Sequence, residues 1–108
     1  MKFPDDEIVI TEIAGSRAVA FANTDKKILA LNALGFLEEG DHLVRKIISE
    51  VDRINLLKDL IQLSALFSSG RDWSPAELVD FYRERGDIGQ SYRVISWRGP
   101  GAFYIRIE

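Results

Sequence analysis

Cysteine is absent from these 108 residues, and histidine occurs once. The first absence excludes disulfides, thiolate metal sites and a cysteine nucleophile. The second leaves a transition-metal site to rest on carboxylates alone. It also deprives any serine nucleophile of most of its general-base partners. No metal and no cofactor is expected on these grounds. Positive charge is short as well. The chain holds 14 Lys and Arg against 17 Asp and Glu, a net charge of −3. That balance gives no overall attraction to nucleic acid or to anionic lipid. Long apolar runs are missing too. The most apolar region, 54–67, is interrupted by Lys58, Asp59 and Gln62, and is too short and too charged to span a bilayer. The N-terminal Met-Lys-Phe-Pro-Asp-Asp-Glu lacks the basic start and apolar stretch of a secretory signal. A cytoplasmic protein with no membrane partner is the expectation.

Glycine-based phosphate motifs do not occur either. Gly86-Asp87-Ile88-Gly89 follows a predicted helix, whereas a phosphate loop precedes one. Gly-x-Ser-x-Gly is not found. Two acidic runs stand out, Asp5-Asp6-Glu7 and Glu38-Glu39 with Asp41. Neither has the alternating ligands, glycine and distal glutamate of a calcium loop. The single histidine, His42, reads as a solvated residue near a helix start; its functional reading is a general base.

What is present is enough for a core. Hydrophobic residues make up 46% of the chain, and a chain of this length buries roughly two-thirds of its unfolded surface. A single domain, 1–108, is expected.

Residues 7–13 and 17–23 read as two strands joined by a type II′ turn at Gly15-Ser16. That turn sets Ile10 opposite Phe21 and Glu12 opposite Val19, with Ile8, Ile10, Val19 and Phe21 on one face. Residues 25–34 read as a helix capped by Thr24 and closed by Gly35, with a strand over 27–32 as the alternative. The region 41–68 reads as a long helix with Asp41 as its cap, because Val44, Ile47, Ile48, Val51 and Ile54 recur at spacings of three and four. Trp73-Ser74-Pro75-Ala76-Glu77-Leu78 is the sharpest local signal. Ser74 suits an N-cap, Pro75 the first helical position and Glu77 a capping box, with Trp73 and Leu78 spaced as a staple. This helix is predicted to run to Arg85. Strands over 92–98 and 103–107 close the chain around a type II turn at Gly99-Pro100-Gly101-Ala102. The order β-β-α-α-α-β-β predicts an α+β fold, an antiparallel sheet with helices packed on one face.

Two surfaces emerge as candidates. Counting back from the final turn puts Trp97 opposite Tyr104, Ile95 opposite Arg106 and Arg93 opposite Glu108, with Arg98 nearby. One side of the hairpin then pairs aromatics with arginines, residue types enriched in binding hot spots. The other side, Val94, Phe103, Ile105 and Ile107, reads as core. The ordinary reading of Trp97 and Tyr104 is a stabilising cross-strand pair. The second candidate is the wide apolar face of 56–67, either core or a homodimer seam through Leu56, Leu60, Leu63 and Phe67.

These features favour a non-catalytic protein-binding module of adaptor, inhibitor, immunity or antitoxin type. Its candidate partner surface is Trp97, Tyr104, Arg106, Arg93 and Arg98, and its partner is another protein or a second copy. A nucleic-acid binder is the first alternative, since helix 75–85 and the hairpin resemble a helix-plus-wing layout. Against it, residues 71–108 hold six arginines and six acidic residues, so no basic stripe forms. A small enzyme with a carboxylate and arginine site is the second alternative, but sequence spacing brings no such set together.

Overall fold

A computed structural model describes residues 3–70 and 72–108 of the chain. The strands are β1 (Val9–Glu12), β2 (Arg17–Phe21), β3 (Leu37–Glu39), β4 (His42–Lys46), β5 (Leu66–Ser68), β6 (Arg93–Gly99) and β7 (Ala102–Ile107). The helices are α1 (Asp25–Ala33), α2 (Glu50–Gln62) and α3 (Pro75–Glu84). The fold is α+β. One sheet carries all seven strands in the order β3-β4-β2-β1-β5-β6-β7. It is mixed rather than wholly antiparallel, because β5 runs parallel to both β1 and β6. Hairpins flank that parallel centre on both sides.

Local sequence explains the helix ends. Thr24 accepts a hydrogen bond from the Lys27 amide, and Gly35 follows α1 at φ 96°. Ser74 accepts from the Glu77 amide, with Pro75 in the first turn of α3. Glu77 accepts in return from the Trp73 amide at 3.3 Å, and Trp73 packs edge-on against Phe81 with ring centroids 5.6 Å apart.

The expected long helix over 41–68 is corrected to strand, helix, strand. Gly40 takes φ 67° and turns β3 into β4, which pairs with β2. Ser49, not Asp41, caps α2 through the Asp52 amide. The helix stops at Leu63, Ser64 takes φ 60°, and the apolar run that follows becomes β5. A short run buried on both faces carries no periodicity that separates helix from strand. Its place between β1 and β6 decides the outcome.

The first hairpin also departs from expectation. Gly15 does not take the positive φ of a type II′ turn. Glu12 pairs with Val19 as expected, but a bulge after Ile10 sets Ile10 opposite Ala20 and Val9 opposite Phe21. Ile8, Ile10, Ala18 and Ala20 therefore share the face that packs on the helices, and Phe21 lies on the other face with Val9.

All three helices cover one face of the sheet. Their buried contribution includes Leu31 from α1, Leu56, Leu57 and Leu60 from α2, and Leu78, Val79 and Tyr82 from α3. Leu56, Leu60 and Phe67 are buried in this core and Leu63 is half-buried against it. Three of the four seam residues thus fill the chain's own interior.

Candidate functional site

The sheet's second face carries no helix among the described residues. At its centre Val9 of β1, Leu66 of β5 and Ile95 of β6 are fully buried. Burying such a side chain is worth about 1.5–3 kcal/mol, and aromatic rings supply the cover. Phe3, Phe21, Trp97 and Phe103 pack over these three residues and are themselves only partly buried. Phe3 stacks on Phe21 with centroids 4.3 Å apart and meets Trp97 edge-on at 5.7 Å. His42 lies 5.7 Å from Phe21 on the same face. Beside Phe3 and Phe21 is a crevice of about 420 Å³, whose rim includes Asp5, Glu7 and Asp41. Toward β7 the apolar surface continues to Ile105 and Ile107, and Ile107 is 75% exposed.

The hairpin register decides which residues belong here. Trp97 pairs with Phe103, Ser96 with Tyr104, Ile95 with Ile105 and Val94 with Arg106. The expected pairs Trp97–Tyr104, Ile95–Arg106 and Arg93–Glu108 do not form. The turn itself is as expected, with Gly101 at φ 74° after Pro100. A type II turn has the wrong twist for a two-residue hairpin. A bulge between Trp97 and Gly99 absorbs the mismatch and shifts the register by one. One step of register exchanges the two faces of β7.

The five candidate side chains are thereby divided. Trp97 and Arg93 lie on the helix-free face. Arg93 donates to Glu7 at 2.8 Å and to the Ser64 carbonyl at 2.9 Å. Tyr104, Arg106 and Arg98 lie on the opposite face. The Arg98 guanidinium sits 4.4 Å from the Tyr104 ring centroid. Arg106 donates to Glu108 at 2.7 Å and to Ser96 at 3.1 Å. Phe103, Ile105 and Ile107, expected in the core, lie on this open face, and Phe3, to which no local pattern gives a role, joins them. The twist mismatch of a type II turn was the signal for the bulge and hence for this assignment.

Charged groups near the site are arranged in pairs. Besides Glu7–Arg93, Glu12 meets Arg17 at 3.1 Å, and Asp41 meets His42 at 2.9 Å. The hydrogen bond from His42 holds the Asp41 carboxyl below the usual carboxylate range. Among the described residues no group of three or more His, Asp or Glu side chains converges to hold a metal ion. The Trp97 Nε1 is shielded from solvent without a hydrogen-bond partner among the described residues. What this arrangement does chemically is present a broad aromatic and aliphatic surface with an acidic crevice at one end. No family model, curated protein or solved structure matches this chain.

Proposed function

We propose that this chain is a non-catalytic protein-binding module that docks its partner on the helix-free face of the sheet. The observation that supports this most directly is an aromatic surface on a sheet face with no helix over it among the described residues: Phe3, Phe21, Trp97 and Phe103, each partly buried, beside exposed Ile105 and Ile107. Contiguous apolar surface of this kind marks interaction sites, and aromatic residues dominate their energetics. The acidic rim of Asp5, Glu7 and Asp41 favours a partner segment that is apolar and carries lysine or arginine at one end. The arginines of the expected partner surface are divided between the two faces. Arg93 is held by Glu7 within the docking face, while Arg98 and Arg106 belong to the far side.

The test is affinity capture by four forms of the chain, each checked for folding by circular dichroism. Wild type and Tyr104→Ala should recover the same protein, and Trp97→Ala and Phe21→Ala should lose it. Titration of that purified protein should give the same ranking. A partner retained by the Trp97 and Phe21 variants, or lost with Tyr104→Ala, would remove the helix-free face from the reading.

A further inference from the structure

The two edges of the sheet are unequal. β3 has three residues, two of them glutamates, Glu38 and Glu39. Short, charged edges resist pairing with another chain. β7 has six residues and contains neither lysine nor proline. Among the described residues no strand pairs with its outer side.

Hydrogen bonding shows which groups that outer side offers. Glu108 and Tyr92 exchange both backbone bonds. In an antiparallel ladder such exchanging pairs alternate with non-exchanging ones. Arg106 and Tyr104 therefore point their amides and carbonyls toward β6. Phe103, Ile105 and Ile107 point theirs away from the sheet.

We infer that β7 pairs antiparallel with β7 of a second copy of this chain, about a twofold axis at Ile105. The side-chain sequence is self-complementary in this register. Ile105 meets Ile105 of the second copy, and Phe103 meets Ile107 of the second copy, both on the helix-free face. On the other face Tyr104 meets Arg106 of the second copy, an aromatic ring beside a guanidinium. The outward backbone groups of Phe103, Ile105 and Ile107 all find partners, two bonds at each pair. Exposed Ile105 and Ile107 gain apolar cross-strand neighbours on that face. An interface between identical chains needs a surface that complements itself under twofold rotation, and this strand meets that condition residue by residue. The inference goes beyond the docking face proposed above. It concerns the edge of the sheet, and it makes the helix-free faces of two copies continuous.

Sedimentation equilibrium from micromolar to millimolar concentration reads the oligomeric state. Wild type should reach twice the monomer mass. Ile105→Pro removes one outward amide and leaves every β6–β7 bond in place, because a proline is tolerated where the N–H faces away from the sheet; it should stay monomeric. The absence of native cysteine allows a second test that does not depend on how well proline is tolerated. Ile105→Cys places two thiols on the axis, at a Cα separation of about 5.5 Å, inside the range for a disulfide. It should oxidise to a covalent dimer, whereas Leu29→Cys on the exposed surface of α1 should not. A wild type that remains monomeric throughout, a folded Ile105→Pro that still dimerises, or Ile105→Cys that links no faster than Leu29→Cys overturns the inference. Trp97→Ala should leave the dimer intact, so the edge and the docking face fail separately.

Discussion

Arg45 on β4 holds Asp52 on α2 through two side-by-side hydrogen bonds, Nη2 to Oδ1 at 2.9 Å and Nη1 to Oδ2 at 3.1 Å. Its Nε donates to the Leu34 carbonyl at the end of α1, at 2.7 Å. Asp52 Oδ2 also accepts the Ile48 amide at 3.1 Å. One guanidinium thus ties β4, the end of α1 and the first turn of α2. Both side chains are largely buried, at 22% and 19% exposure. A planar fork on a carboxylate is among the stronger pairings available to side chains.

Replacing Arg45 by Ala should cost about 2–3 kcal/mol, since it leaves a largely buried carboxylate and a helix-terminal carbonyl short of donors. Urea denaturation followed by circular dichroism checks the loss. Arg45→Lys should recover only part of it, because a single ammonium cannot reproduce the fork.

The same pair predicts a pH dependence. The hydrogen bond from Arg45 holds the Asp52 carboxyl below the usual carboxylate range. Arg85 does the same for Glu50. A carboxyl whose folded value is depressed stabilises fully above its unfolded value, near about 3.9 for Asp. That stabilisation is lost as pH falls through the lower folded value. The urea midpoint should therefore drop as pH is taken from about 5 toward 2. Asp52→Asn should show a shallower drop across that window, while starting from a lower midpoint at neutral pH. Equal slopes for the two proteins would contradict this.

Tyr92 reaches across from the start of β6 to α3. Its hydroxyl lies 2.7 Å from Asp80 Oδ1 and 3.1 Å from the Ala76 carbonyl. Burial first, and the hydrogen bond to Asp80 second, push that hydroxyl above the ordinary phenol range. Tyr92→Phe keeps the ring packed on Phe67, 5.8 Å away, and loses only the hydroxyl. The expected cost is about 1 kcal/mol, read as a lower thermal midpoint.

Trp97 offers a contrast between two substitutions. Its ring covers Val9, Leu66 and Ile95, yet its indole N–H has no partner among the described residues. Trp97→Phe retains an aromatic cover and removes the shielded donor, so the loss should stay within about 1 kcal/mol. Trp97→Ala removes the cover and should cost about 2–3 kcal/mol. Chemical denaturation of both variants separates the contributions of ring and N–H.

Gly35 is the glycine whose added Cβ would meet a neighbouring side chain. It takes φ 96°, and a Cβ there would approach Arg45 Nε to 3.2 Å. Gly35→Ala should destabilise by about 1–2 kcal/mol, with part of the loss arising from displacement of the Arg45 clamp. The cost should be smaller in an Arg45→Ala background, which a double-mutant cycle would measure.

Some of this molecule is readable from its sequence alone, because the determining contacts lie within a few residues. Thr24 and Ser74 each bond an amide three positions on, Pro75 suits a first helical turn, and Gly35 and Gly101 take the positive φ that their turns require. These positions specify α1, α3, the last turn and the α+β class. Partners distant in the chain decided the rest. Val44, Ile47 and Ile48 carry a helical spacing, yet pairing with β2 makes 42–46 a strand. Leu66 and Phe67 continue the apolar run of α2, yet a slot between β1 and β6 draws them into the sheet. The hairpin at the C-terminus shows the division most sharply. Its turn is local chemistry, whereas the bulge before Gly99 answers to the twist of the assembled strands. That one residue of slip put Trp97 with Phe103 rather than with Tyr104. Because side chains alternate between faces at every residue, it also moved Ile105 and Ile107 from the expected core to the open face.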